Sequence, residues 1–199
     1  MPESVRAIRR VCVYCASSSQ VDPSYYDAAY RLGRLLARES ISVIYGGGGL
    51  GSMGRLADGA LFEGGTVIGV LPRFMQELEW NHPDLTELQL VDDMRERKHL
   101  MLAGSDAVIT LPGGCGTLEE LLEAITLKRL GEYLQPIVLV NTLGFFNPLL
   151  TQLRNSIDEQ FMDQRHATMW TVVSEPEQVL DGIREAPGWS EDARSFAAV

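Results

Sequence analysis

Short apolar runs alternate with helix-like segments along the whole chain, and this alternation restricts the fold more than any other feature. Runs 11–15, 41–45, 66–71, 87–91, 107–111, 137–141 and 170–173 have strand length and read as strands. Segments 25–39, 52–63, 94–103, 118–130, 146–161 and 177–185 between and after them read as helices. Asp22 and Pro23 supply a cap and a first-turn proline for the first helix, and Gly64-Gly65 ends the second. Segment 74–86 reads as irregular surface chain. Such an order implies an α/β fold, a Rossmann-like doubly wound parallel sheet in three α/β/α layers. Residues 1–188 are expected to form a single nucleotide-binding domain, and 189–199 a flexible tail.

Ligands meet such sheets beyond the carboxyl ends of the strands. The segment most suited to that role is Leu111-Pro112-Gly113-Gly114-Cys115-Gly116-Thr117-Leu118-Glu119-Glu120, where a strand gives way to a glycine turn and then a helix. The free N–H groups and positive dipole end of a helix suit a phosphate. Glycines let the backbone approach a ligand with no Cβ in between. Thr117-x-x-Glu120 also has the form of a capping box. Glu120 is then either the partner of the Thr117 backbone or a group free for chemistry. A second loop, Gly49-Leu50-Gly51-Ser52-Met53-Gly54, has dinucleotide-fingerprint spacing. The following strand ends Val70-Leu71-Pro72-Arg73 without the acid that would hold ribose hydroxyls, which disfavours NAD and leaves only Arg73 in favour of NADP. Ser17, Ser18 and Ser19 follow the first strand and either form a turn or bind phosphate or ribose. Arg97 and Lys98 lie about 100° apart on a helix, so they serve either a solvated face or a ligand from two directions.

Four blocks resemble the Lonely Guy family: Val11 to Ser19, the Gly46 to Gly54 run, Met94-Arg95-Glu96-Arg97-Lys98, and Pro112-Gly113-Gly114-x-Gly116-Thr117-x-x-Glu120. They occur in family order and span most of the chain. The resemblance implies a phosphoribohydrolase that cleaves the N-glycosidic bond of a nucleoside 5′-monophosphate, AMP or a cytokinin riboside 5′-monophosphate, to free base and ribose 5-phosphate. It implies Arg97 and Glu120 as catalytic residues. Ser17, Gly48, Gly51, Met94, Lys98, Gly113, Gly114, Gly116 and Thr117 are the expected substrate-binding set. It also implies a homodimer. Leu127, Arg129 and Tyr133 stand where the family often has Trp, Gln and His, and Arg95 replaces a common His, which leaves the preferred base open. Two readings without turnover stand beside this one. Molybdenum-cofactor carriers resemble the fold and its glycine loops, and a nucleotide sensor would need only binding.

Composition removes several other classes. The formal net charge of −10 argues against nucleic-acid binding, which needs a basic face. No apolar run approaches the length of a membrane span, and no signal peptide is visible, so the cytoplasm is expected. Cys12, Cys15 and Cys115 and the scattered His82, His99 and His166 do not form a zinc pattern, so neither a metal nor a cofactor is expected. Lys98 and Lys128 are the chain's only lysines. Pyridoxal-phosphate decarboxylation requires a Schiff-base lysine, and both candidates fall in predicted helices.

Overall fold

Seven parallel strands in the order β4-β3-β2-β1-β5-β6-β7 form one sheet in the computed structural model, which describes residues 7–78 and 80–197. The strands are β1 Arg10–Tyr14, β2 Ser42–Tyr45, β3 Val67–Pro72, β4 Glu87–Val91, β5 Ala107–Thr110, β6 Ile137–Val140 and β7 Thr171–Val173. They are the strands read from the sequence, with ends moved by a residue or two. The helices are α1 Pro23–Arg38, α2 Gly51–Phe62, α3 Arg73–Glu77, α4 Met94–Leu102, α5 Cys115–Arg129, α6 Asn147–Asp158 and α7 Val179–Arg184.

The strands read as continuous apolar runs because both faces of the sheet are covered. On one face, Val11, Val13, Val43 and Tyr45 pack with Leu32, Leu36 and Leu56 of α1 and α2 and with Leu180 and Ile183 of α7. On the other, Cys12, Tyr14 and Val108 pack with Met101 of α4, Leu121 and Ile125 of α5 and Leu153 of α6. This is the doubly wound, three-layer arrangement expected. Asp22 accepts a hydrogen bond from the Ser24 amide and Pro23 opens α1, as the sequence indicates.

Chain order reverses between β1 and β5, which are neighbours in register from Val11↔Ala107 to Tyr14↔Thr110. A crevice therefore opens beyond their carboxyl ends. The serine turn after β1 and the glycine loop after β5 form its two sides.

The segment 74–86 is not wholly irregular, since α3 occupies its start. No residue of α3 is buried, so it leaves no apolar period to read. The capping box at Thr117 is not formed, because α5 begins at Cys115 with Gly114 as its N-cap. Beyond Pro187, the segment read as a tail carries a 3-10 helix at Glu191–Phe196. There the Trp189 indole N–H donates to the Lys128 carbonyl at 2.7 Å, and Phe196 packs edge-on against Trp189.

Candidate active site

Two glycine loops reach the crevice, and they are used differently. At the start of α5 no side chain caps the helix. The first-turn N–H groups of Cys115, Gly116 and Thr117 have no acceptor within it. A Cβ added at Gly114 or Gly116 would meet nothing within 4 Å, so this helix end faces open space. Gly113 is different: a Cβ there would lie 2.2 Å from Thr117 Oγ1. Thr117 itself is buried beneath the loop.

The loop before α2 is packed on both sides. Gly51 has φ +61°, and a Cβ on it would lie 2.4 Å from the Ser18 carbonyl oxygen and 2.6 Å from Ser17 C. The Met53 amide donates to the Ala16 carbonyl, which binds the serine turn to the N-terminus of α2. From the other side the Gly49 amide donates to the Trp80 carbonyl, the His82 amide donates to the Gly47 carbonyl, and Gly48 bridges Asn81. Gly48 also backs onto Met53 Sδ. The fingerprint spacing thus has a packing cause here. Arg73, the residue that favoured NADP, is paired with Asp92. Ser17 is exposed at the crevice edge.

Arg97 and Glu120 meet below these loops. Asp93 caps α4 by accepting from the Glu96 amide, and Glu96 returns a carboxylate to the Asp92 amide. That cap sets the rotation of α4 and turns Arg97 inward. Its guanidinium is buried, donating from Nε to the Val70 carbonyl at 3.0 Å and from Nη2 to the Gly46 carbonyl at 2.9 Å. A Cβ at Gly46 would lie 2.0 Å from Nη2, so only glycine leaves room for the arginine. The remaining Nη1 lies 3.8 Å from Glu120 Oε1 and 3.8 Å from Met94 Sδ. Glu120 is only 5% exposed. Burial pushes its carboxyl up to about 7, and Arg97 works against that rise. Such a group changes charge near neutral pH, where a general base is most effective.

Lys98 turns away from this pair. Its Nζ donates to Glu119 and lies 2.9 Å from Glu123 Oε2, both on α5. Beside it is a cavity of about 400 Å³ between α4 and α5, lined by Tyr14, Asp93, Arg95, Lys98, Glu123 and Leu127. Two of the positions that depart from the family pattern, Arg95 on α4 and Leu127 on α5, therefore line the same cavity. Sequence reasoning missed Gly46 as the residue that makes space for Arg97 and Tyr14 as part of the cavity lining. The available signal was the three glycines, Gly46 to Gly48, ahead of the fingerprint. Cys12 and Cys15 are buried, and burial pushes both thiols up and makes them poor nucleophiles.

Among the described residues no three His, Cys, Asp or Glu side chains group as a metal site requires. Lys128 lies at the far end of α5 with its Nζ buried against the Gln135 carbonyl. Neither lysine presents a free amine to the Arg97–Glu120 pair.

A family model described as "Possible lysine decarboxylase" matches residues 53–183. The cytokinin riboside 5′-monophosphate phosphoribohydrolase LOG7 of Arabidopsis thaliana is 42% identical over 162 residues, covering 81% of this chain and 75% of that protein. The probable cytokinin riboside 5′-monophosphate phosphoribohydrolase LOGL6 of Oryza sativa subsp. japonica is 40% identical over 176 residues, covering 88% and 70%. Among solved structures, TM1055 superposes with a TM-score of 0.70 at 26% identity over 87% of this chain and 97% of its own. The molybdenum cofactor carrier protein of Chlamydomonas reinhardtii superposes with a TM-score of 0.66 at 20% identity, covering 90% and 98%, which is a likeness of fold.

Proposed function

Because this chain belongs to the Lonely Guy family, that of the cytokinin riboside 5′-monophosphate phosphoribohydrolases, we propose that it hydrolyses a nucleoside 5′-monophosphate. The substrate is AMP or a cytokinin riboside 5′-monophosphate, and the products are free base and ribose 5-phosphate. The observation that carries this reading is the buried Arg97–Glu120 pair facing the crevice beside an uncapped helix end.

In this reading the phosphate binds the first-turn N–H groups of α5, where Gly114 and Gly116 leave the approach open. Gly113 and Thr117 hold that loop's shape. Ser17, Gly48 and Gly51 form the opposite edge, along the ribose. As the C1′–N bond lengthens, positive charge develops on the ribose ring, and the Glu120 carboxylate stabilises it. Glu120 then takes a proton from the attacking water as its oxygen bonds to C1′ and the C1′–N bond breaks; the departing base takes a proton from solvent, and Glu120 returns its own to solvent for the next turnover. With Nε and Nη2 held by backbone carbonyls, Arg97 has Nη1 to orient Glu120 and a substrate hydroxyl. Met94 packs against that nitrogen.

Purified protein incubated with AMP, and separately with isopentenyl-AMP, should release base and ribose 5-phosphate in equal amounts, and Glu120→Gln should not. The ratio of the two rates sets base preference. Retained binding with no release from either substrate would instead support a carrier or sensor. The protein is expected to act as a homodimer. Leu121 and Ile125 of α5 face the core while Leu122 is 40% exposed, and sedimentation showing only a 22.0 kDa species would oppose the dimer. No described helix is long and apolar enough to cross a membrane. The three free cysteines suit the reducing cytoplasm, which is where we place the enzyme.

A further inference from the structure

Two ion-paired links join α4 to α5 at consecutive residues of α4. The inner link is Arg97–Glu120, with side chains 8% and 6% exposed. The outer link is Lys98 with Glu119 and Glu123, where the lysine is 17% exposed and the two carboxylates 56% and 39%. Glu119 and Glu123 are four residues apart, so they lie on one stripe of α5 and receive the ammonium between them. Glu120 is next to the first and one turn from the second. A substrate phosphate that used Lys98 would have to displace two carboxylates already bound to it.

We propose that Lys98 is a positioning residue for the hydrolytic site, clamping Glu119 and Glu123 so that Glu120 keeps its place and its charge opposite Arg97. This inference rests on the assignment of Glu120 above. The charged and titratable groups near enough to act electrostatically with Glu120 are Arg97 and Lys98 from α4, Glu119 and Glu123 from α5, and Cys12, Tyr14 and Cys15 from β1 and the residue after it. Two cations thus oppose three carboxylates. Arg97 is the larger of the two opposing charges, and Lys98, paired directly with Glu119 and Glu123, adds to it at the place where their fields arise. Those two carboxylates favour the protonated form of Glu120, and Lys98 favours the ionised form.

The test uses Lys98→Met, Lys98→Arg and the double variant Glu119→Gln/Glu123→Gln, each with two readouts. One is the titration of Glu120 followed by ¹³C NMR of carboxyl-labelled glutamate, with the resonance assigned by its loss in Glu120→Gln. The other is kcat and KM from pH 5.5 to 9. Lys98→Met should raise the Glu120 midpoint by about half a pH unit to one unit, the size expected for one charge in a partly exposed network. Its kcat should fall by about threefold to tenfold at pH 6.5 and recover to within about twofold at pH 9, with KM little changed. Lys98→Arg should behave as wild type, and the double variant should move the midpoint down. An unmoved midpoint in Lys98→Met overturns the inference, as does a KM raised at every pH with no recovery of kcat, which would make Lys98 a substrate ligand. The NMR titration needs no turnover. Wild-type turnover by Glu120→Gln would therefore sink the assignment of Glu120 while leaving the clamp separately tested.

Discussion

Replacing Glu120 with glutamine should make the protein inactive and, above neutral pH, more stable. Burial lifts this carboxyl from 4.5 to about 7, so between those values the folded protein holds a proton that the unfolded chain releases. Folding is therefore disfavoured as pH rises: the cost is absent below about 4.5 and complete above about 7. At about 1.36 kcal/mol per pH unit, the gap sets a ceiling of about 3 kcal/mol at pH 8. The attraction to Arg97 is already contained in that net value. Glutamine keeps the shape and an oxygen for Nη1, so the variant should recover about 1–3 kcal/mol. For a chain of this size that corresponds to a Tm about 3–8 °C above wild type at pH 8. At pH 5 the difference should shrink by more than half. Thermal melts of both proteins across this range, with turnover measured on the same samples, give the answer. A difference that ignores pH, or a variant that melts lower at pH 8, would show that Glu120 is not a strained buried anion and would remove its basis as a general base near neutrality.

Glycine substitutions separate the site from the scaffold. Gly116→Ala places a methyl in open space inside a helix. It should raise stability by up to about 1 kcal/mol while raising KM severalfold; an unchanged KM would move the phosphate elsewhere. Gly46→Ala puts a methyl 2.0 Å from Arg97 Nη2, and displacing that group should lower kcat by about a hundredfold, measured in steady-state assays. Gly51→Ala combines φ +61° with a contact of 2.4 Å to the Ser18 carbonyl and should cost about 2 kcal/mol or more, visible as a lower melting temperature. Trp189→Ala removes the indole that packs beside Lys128 and should cost about 2 kcal/mol in a denaturant titration.

Much of the fold was legible because parallel strands buried on both faces appear as short unbroken apolar runs. Val11 to Tyr14 and Ala107 to Thr110 are buried throughout, and both were recognisable without any partner. Elements that bury nothing periodic were not legible. α3 has no buried residue, and the segment from Trp189 to Phe196 is held by two aromatic side chains and a few hydrogen bonds. The Thr117-x-x-Glu120 pattern misled because it describes a first turn but does not say where that turn starts. With Gly114 as N-cap, Glu120 falls in the second turn, and its carboxylate lies by Arg97 instead of capping the helix. In the site, the family resemblance named Arg97 and Glu120, and the structure puts them 3.8 Å apart. The partners of Lys98 were hidden, since they depend on how α4 lies beside α5 rather than on any local spacing.

The two carbonyls that hold Arg97 have a consequence for the family's history. Gly46 follows β2 and Val70 lies within β3, and one guanidinium satisfies both of their buried oxygens. Losing the arginine would strand those acceptors, at about 1–3 kcal/mol each. A descendant that gave up hydrolysis would thus still be selected to keep Arg97 as a strut between β2 and β3. Glu120 has no such second duty, and its charge is a burden on the fold. In diverging copies of this gene the glutamate should therefore drift first. Its presence or absence, rather than that of the arginine, is the position to consult when deciding from sequence which relatives still cleave their nucleotide.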